Sequence, residues 1–158
     1  MKQSKTKSKT TRVLLWLGAI LGGLVLVSAI FIGVMMSRMK PVPADLDTST
    51  RRPSDNGLFN ISYTASTGTV PVNQMHQWTL HVETAAGEPV ENATITVDGD
   101  MPQHGHGLPT RPQVTEYLGN GDYLVEGMKF QMGGWWLMDF TITANDQTDT
   151  VHFNMMLR

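Results

Sequence analysis

Gln77-Trp78-Thr79-Leu80-His81-Val82-Glu83 alternates polar and apolar residues without a break. Successive side chains of an extended chain point to opposite faces, so the stretch predicts a strand with one buried face and one wet face. The same period of two recurs on both sides of it. Phe59, Ile61, Tyr63 and Ala65 alternate with Asn60, Ser62 and Thr64, and Ala93, Ile95 and Val97 alternate with Thr94, Thr96 and Asp98. Farther on come Trp136, Met138, Phe140 and Ile142, then Val151, Phe153, Met155 and Leu157. Shorter strands are predicted near Gln113–Leu118 and Asp122–Phe130. Turn-forming stretches separate them at 86–89 (Ala-Gly-Glu-Pro), 119–122 (Gly-Asn-Gly-Asp) and 145–147 (Asn-Asp-Gln). About seven short strands, each with a single apolar face, predict an all-β domain over residues 57–158. Its expected architecture is an immunoglobulin-like antiparallel β-sandwich.

Upstream of this domain the pattern changes completely. Residues 1–12 form a basic tail carrying Lys2, Lys5, Lys7, Lys9 and Arg12. Residues 13–36 contain no charge. At about 1.5 Å per residue such a helix crosses a hydrocarbon core of about 30 Å. A cleaved signal peptide shares the basic start, but its apolar region is shorter, about 7–15 residues, and ends at a small-x-small site. Gly33-Val-Met-Met-Ser-Arg-Met-Lys40 is a poor match to such a site, so the reading is one N-terminal transmembrane helix that is retained. The positive-inside rule places the tail in the cytoplasm and the β-domain in the periplasm or outside the cell, on a single-pass protein of the cytoplasmic membrane. Residues 37–56, with three prolines and charges of both signs, are expected to be a tether.

Charge and composition remove several function classes. All fourteen acidic residues lie beyond Lys40, against five basic ones, so that region carries a net charge of −9. A field of that sign repels nucleic acid. The absence of cysteine excludes disulfides, thiolate metal sites and a Cys nucleophile. No Ser-centred elbow, paired carboxylates or phosphate-cradling loop is present, and the chain is read as a non-enzyme.

The chemistry concentrates in a loop expected over residues 98–112, Asp98-Gly-Asp-Met-Pro-Gln-His-Gly-His-Gly-Leu-Pro-Thr-Arg-Pro112. His104 and His106 stand two apart, each followed by glycine, with Met101 three residues before the first. In an extended chain i and i+2 share a side, about 6.5–7 Å apart, so both rings can turn toward one point. His76 shares parity with Trp78 and leans toward the core rim, where it is either hydrogen-bonded to backbone or meets this loop at one end of the sandwich. Met128 and Met132 flank Phe130 on one face of an extended segment. Met138 and Met155 have core parity and are read as packing. His81 and His152 fall on polar faces and are read as solvated. Imidazoles and thioethers together make a soft ligand set, which suits copper, Cu(I) above all. A glycine-rich loop that only shapes the surface for a protein partner remains the competing reading.

Three segments also resemble a known family: residues 74–82 (Gln-Met-His-Gln-Trp-Thr-Leu-His-Val), 99–109 with the string Met-Pro-Gln-His-Gly-His-Gly, and 121–135 ending Met-Gly-Gly-Trp. They are similar to the YtkA-like proteins, often labelled FixH-like. The resemblance implies an exported β-sandwich held by one N-terminal span. It implies Met101, His104, His106, Met128 and Met132 as motif residues, with His76 as a further candidate. The FixH label implies partnership with a copper-transporting ATPase or an oxidase assembly protein. The alternative is a non-metal interaction module that binds a membrane or periplasmic protein.

Overall fold

The computed structural model describes residues 9–37 and 40–158, with side-chain surroundings for 14–34 and 40–158. Most of the expected basic tail, residues 1–8, therefore lies outside the described residues. Helix α1 spans Lys9–Ser37, starting four residues before the uncharged run. Its side chains from Leu14 to Val34 are exposed and apolar on all sides. That pattern suits a lipid surrounding and not one face against a core. The helix is long and apolar enough to cross a membrane.

The second unit begins at Lys40 and holds nine strands. They are β1 Arg51–Pro53, β2 Phe59–Ala65, β3 His76–Thr84, β4 Thr94–Met101, β5 His106–Gly107, β6 Gln113–Gly119, β7 Asp122–Met128, β8 Gly134–Ala144 and β9 Gln147–Leu157. One sheet has the order β1-β2-β3-β7-β6 and the other β5-β4-β8-β9, and all pairs between strands are antiparallel. With the two shortest strands set aside, the seven that remain are those the sequence predicts, five by alternation and two as the shorter strands near Gln113–Leu118 and Asp122–Phe130. Lettered A to G in chain order, they lie as A-B-E-D against C-F-G, the arrangement of an immunoglobulin constant-type sandwich.

Turn chemistry sets two of the hairpins. Asn145 and Asp146 both take positive φ between the paired residues Ala144 and Gln147, the signature of a type I′ turn. Asn120 and Gly121 do the same between Gly119 and Asp122. At Gly121 a side chain would run into the Val82 carbonyl oxygen, so this position requires glycine twice over.

The inner faces meet in an aromatic core. Tyr63 stacks on Trp78 with ring centres 4.2 Å apart and planes 8° apart, while Phe153 meets Tyr63 and Phe140 edge-on. Each such ring removes about 150–250 Å² from water, or roughly 4–6 kcal/mol before chain entropy is counted.

Two expectations about boundaries change. The tether expected up to residue 56 joins the domain earlier, because Arg51–Pro53 pair with Ser62–Asn60 as an edge strand, a position that tolerates proline. The next turn is held by Asp149, a buried carboxylate that accepts from the Asn56 backbone N–H (3.0 Å), its Nδ2 (2.9 Å) and the Leu58 N–H (3.3 Å). Burial pushes its pKa up, but these hydrogen bonds and those from Ser54 and Thr150 prevail and hold it at about 2. The loop expected from residue 98 also starts later. β4 continues through Gly99 to Met101 because the Met138 sulfur occupies the space above Gly99. Gly99 therefore marks a close approach and not a strand break.

Candidate functional site

Strand direction gathers all six sequence-predicted residues at one end of the sandwich. β3 begins there with His76, β4 ends there with Met101, β7 ends with Met128, and β8 begins just after Met132. The registers His76↔Met128, Met101↔His106 and Asp100↔Leu137 tie these ends together within each sheet.

The six do not form one cluster. Met101 and Met128 are fully buried and His76 nearly so, whereas His104 and His106 are exposed and Met132 is half-exposed. The exposed pair sits on a tight turn in which the Met101 carbonyl accepts from both the His104 N–H (2.9 Å) and the Gly105 N–H (2.8 Å). Gly105 takes φ +67 to close it. The rings of His104 and His106 lie 5.8 Å apart and 25° from parallel, brought to one side by this turn and not by the alternation of an extended chain. The Gln131 Nε2 donates to His106 Nδ1 (2.9 Å) and to the Gly107 carbonyl (3.3 Å). The Gln131 Oε1 is buried without a hydrogen-bond partner.

Below the turn the methionines pack. The Met101 methyl lies against Gly134, where a side chain would meet it at 2.9 Å. Met128 turns inward because the β3–β7 ladder carries a bulge between His76 and Trp78, opposite Gly127 at φ +81. His76 Nδ1 lies 3.1 Å from the Gln74 carbonyl oxygen, and its Nε2 is buried without a hydrogen-bond partner. Rings connect the two levels: His106 meets Trp136 edge-on at 6.1 Å, Trp136 meets Phe130 at 5.1 Å, and Phe130 lies 5.7 Å from His76. His76 thus reaches the core side of this end, and its Nδ1 also has the backbone partner of the plainer reading.

Two histidines read as solvated are held more firmly than that. His152 Nδ1 is 2.6 Å from Asp139 Oδ1 and its Nε2 is 3.1 Å from Asp55 Oδ2. The hydrogen bond to Asp139 raises its pKa against partial burial, with the charges of Asp139 and Asp55 adding to the rise. His81 lies 2.6 Å from Asp122 and 3.2 Å from Glu83. Burial lowers its pKa, but the hydrogen bonds to both carboxylates and their charges prevail and raise it. The signal was cross-strand pairing: His81 stands opposite Asp122, and Asp139 opposite His152. Among the described residues no group of three or more His, Asp or Glu side chains is placed to hold a metal ion.

A family model described as YtkA-like matches residues 51–141. The chain belongs to the YtkA-like family. The matched region runs from β1 into β8 and so covers the whole histidine–methionine end except the final strand. No curated protein and no solved structure matched the chain.

Proposed function

We propose that this YtkA-like protein is a membrane-anchored copper-handling protein, with the β-domain on the periplasmic or outer side and the exposed His104–His106 pair as its point of capture. The observation that carries this reading is the pair itself, two nearly parallel exposed rings 5.8 Å apart on a glycine turn. Imidazole nitrogen, with half-exposed Met132 next in the chain to Gln131, whose side chain reaches His106, is a neutral and soft donor set that fits Cu(I) better than hard cations. His104 and His106 would hold the ion, and Met132 would add a thioether. Gln131 supports His106 from behind. Handing copper to a transporting ATPase or an oxidase assembly protein is the role that fits this placement.

The test is competitive titration of the full chain in detergent against a Cu(I) chelator. Wild type should hold copper, and His104→Ala/His106→Ala should lose at least about tenfold in affinity while keeping its fold. Equal affinity in the two proteins would sink the reading and favour the alternative, a module that docks a protein partner through this end.

A further inference from the structure

We propose that His76 and Met128 form a second, buried position for a soft monovalent metal ion, distinct from the exposed pair. The identity of the ion rests on the copper reading above; its place rests on independent geometry.

The tautomer of His76 is set by its neighbour. A carbonyl oxygen only accepts, so the Gln74 oxygen 3.1 Å from Nδ1 puts the proton on Nδ1 and the lone pair on Nε2. That Nε2 is buried and meets no donor from the protein, on a residue only 6% exposed. A ring fixed by a backbone carbonyl through one nitrogen, with the other nitrogen free, is how metal-ligating histidines are commonly held. Across the ladder its partner is Met128, also inward and fully buried. An imidazole and a thioether thus stand as buried register partners at this end of the ladder.

Charge narrows the ion. The buried polar or charged residues among those described are Ser54, His76 and Asp149, and Asp149 binds the start of β2, which pairs with the end of β3 farthest from His76. Without a buried anion a divalent ion would be penalised heavily, whereas a singly charged, polarisable ion of low coordination suits one imidazole and one thioether. The rings of Phe130 and Trp78 lie 5.7 Å and 6.3 Å from the His76 ring, and aromatic rings of this kind attract a cation. A surface depression of about 390 Å³ adjoins His76, bordered by Met75, Gln77, Glu126 and Gly127. Met75 is 54% exposed there, a further thioether on the approach. The competing occupant is a water between His76 Nε2 and the Trp78 indole N–H, which is likewise unpartnered.

The experiment uses the full chain in detergent micelles with ¹⁵N-labelled histidine, titrated with Ag(I) as a stand-in for Cu(I). Wild type should take two equivalents. His104→Ala/His106→Ala should take one, and that ion should displace the His76 Nε2 resonance. Met128→Leu, which nearly keeps the volume, should weaken this ion at least about tenfold, and His76→Phe should leave only the exposed pair loaded. A His76 Nε2 resonance that stays still at saturating Ag(I) in wild type overturns the proposal and assigns the lone pair to water. A single equivalent lost with His104 and His106 would then leave the copper reading standing. A single equivalent that moves His76 and survives His104→Ala/His106→Ala would instead overturn the exposed site and keep the buried one. The wild-type resonance decides the matter even if His76→Phe fails to fold.

Discussion

The five histidines of the β-domain divide into two environments. His81 and His152 each stand between two carboxylates on the sheet faces. His76, His104 and His106 gather at one end, and among the described residues none of them pairs with a carboxylate. The same side chain is put to opposite uses. Between two acids an imidazole is worth most as a cation that ties strands together; away from acids it offers a lone pair. An acidic domain that leaves three of its histidines without a carboxylate partner among the described residues leaves those rings free for neutral donor chemistry.

The sharpest way to break this contrast begins with a methionine that belongs to neither group. Met138 is fully buried and fills the space over Gly99. Met138→Ala should cost about 2–5 kcal/mol of stability, measured by urea denaturation, and leave copper affinity unchanged. A loss of affinity without a loss of stability would move Met138 from packing to ligation. Next in size is Asp139→Asn, which removes the 2.6 Å partner of His152. Both side chains keep solvent contact, so the cost should be about 0.5–1 kcal/mol. Its sign with pH is fixed. His152 has a raised folded pKa, so its contribution is fully present below about 6.5 and is lost as pH rises through the folded value. Denaturation curves of wild type and Asp139→Asn should therefore converge at alkaline pH, and a constant gap would show that His152 is not the titrating group. Smallest is the effect of His104→Ala/His106→Ala on stability, within about 0.5 kcal/mol by the same measurement. A larger loss would mean that the exposed pair packs as well as binds.

Most of the seven longer strands were legible because each is long enough for alternation to declare a buried face; β6 has no buried residue and was legible from the turn at 119–122 that returns it to β7. β1 and β5, at three and two residues, are too short to show any period, and Arg-Arg-Pro and His-Gly carry no apolar mark. The histidine end was legible in membership but not in depth. Met101 has the parity of Ile95 and Val97, yet Gly99 and Pro102 mask the continuation of the strand. Met128 departs from the parity of Tyr123 and Val125 because the bulge at Gly127 shifts the count by one. Local pattern carries parity only up to such an irregularity. The carboxylate partners of His81 and His152 depend on register between strands, which no single stretch contains.

The segment leading into β2 has a further consequence, for the order in which the domain assembles. The Asp47 carbonyl accepts from Asn154, Asn56 donates to Asp149, and Asp55 meets His152, ties that span 107, 93 and 97 residues of chain. The start of the domain is therefore fastened to β9, the last strand to be made. Loop-closure entropy makes such long-range ties late and slow to form. A chain still lacking β9 would hold β1 and the turn after it without their fasteners, and sheet β5-β4-β8 with an open edge.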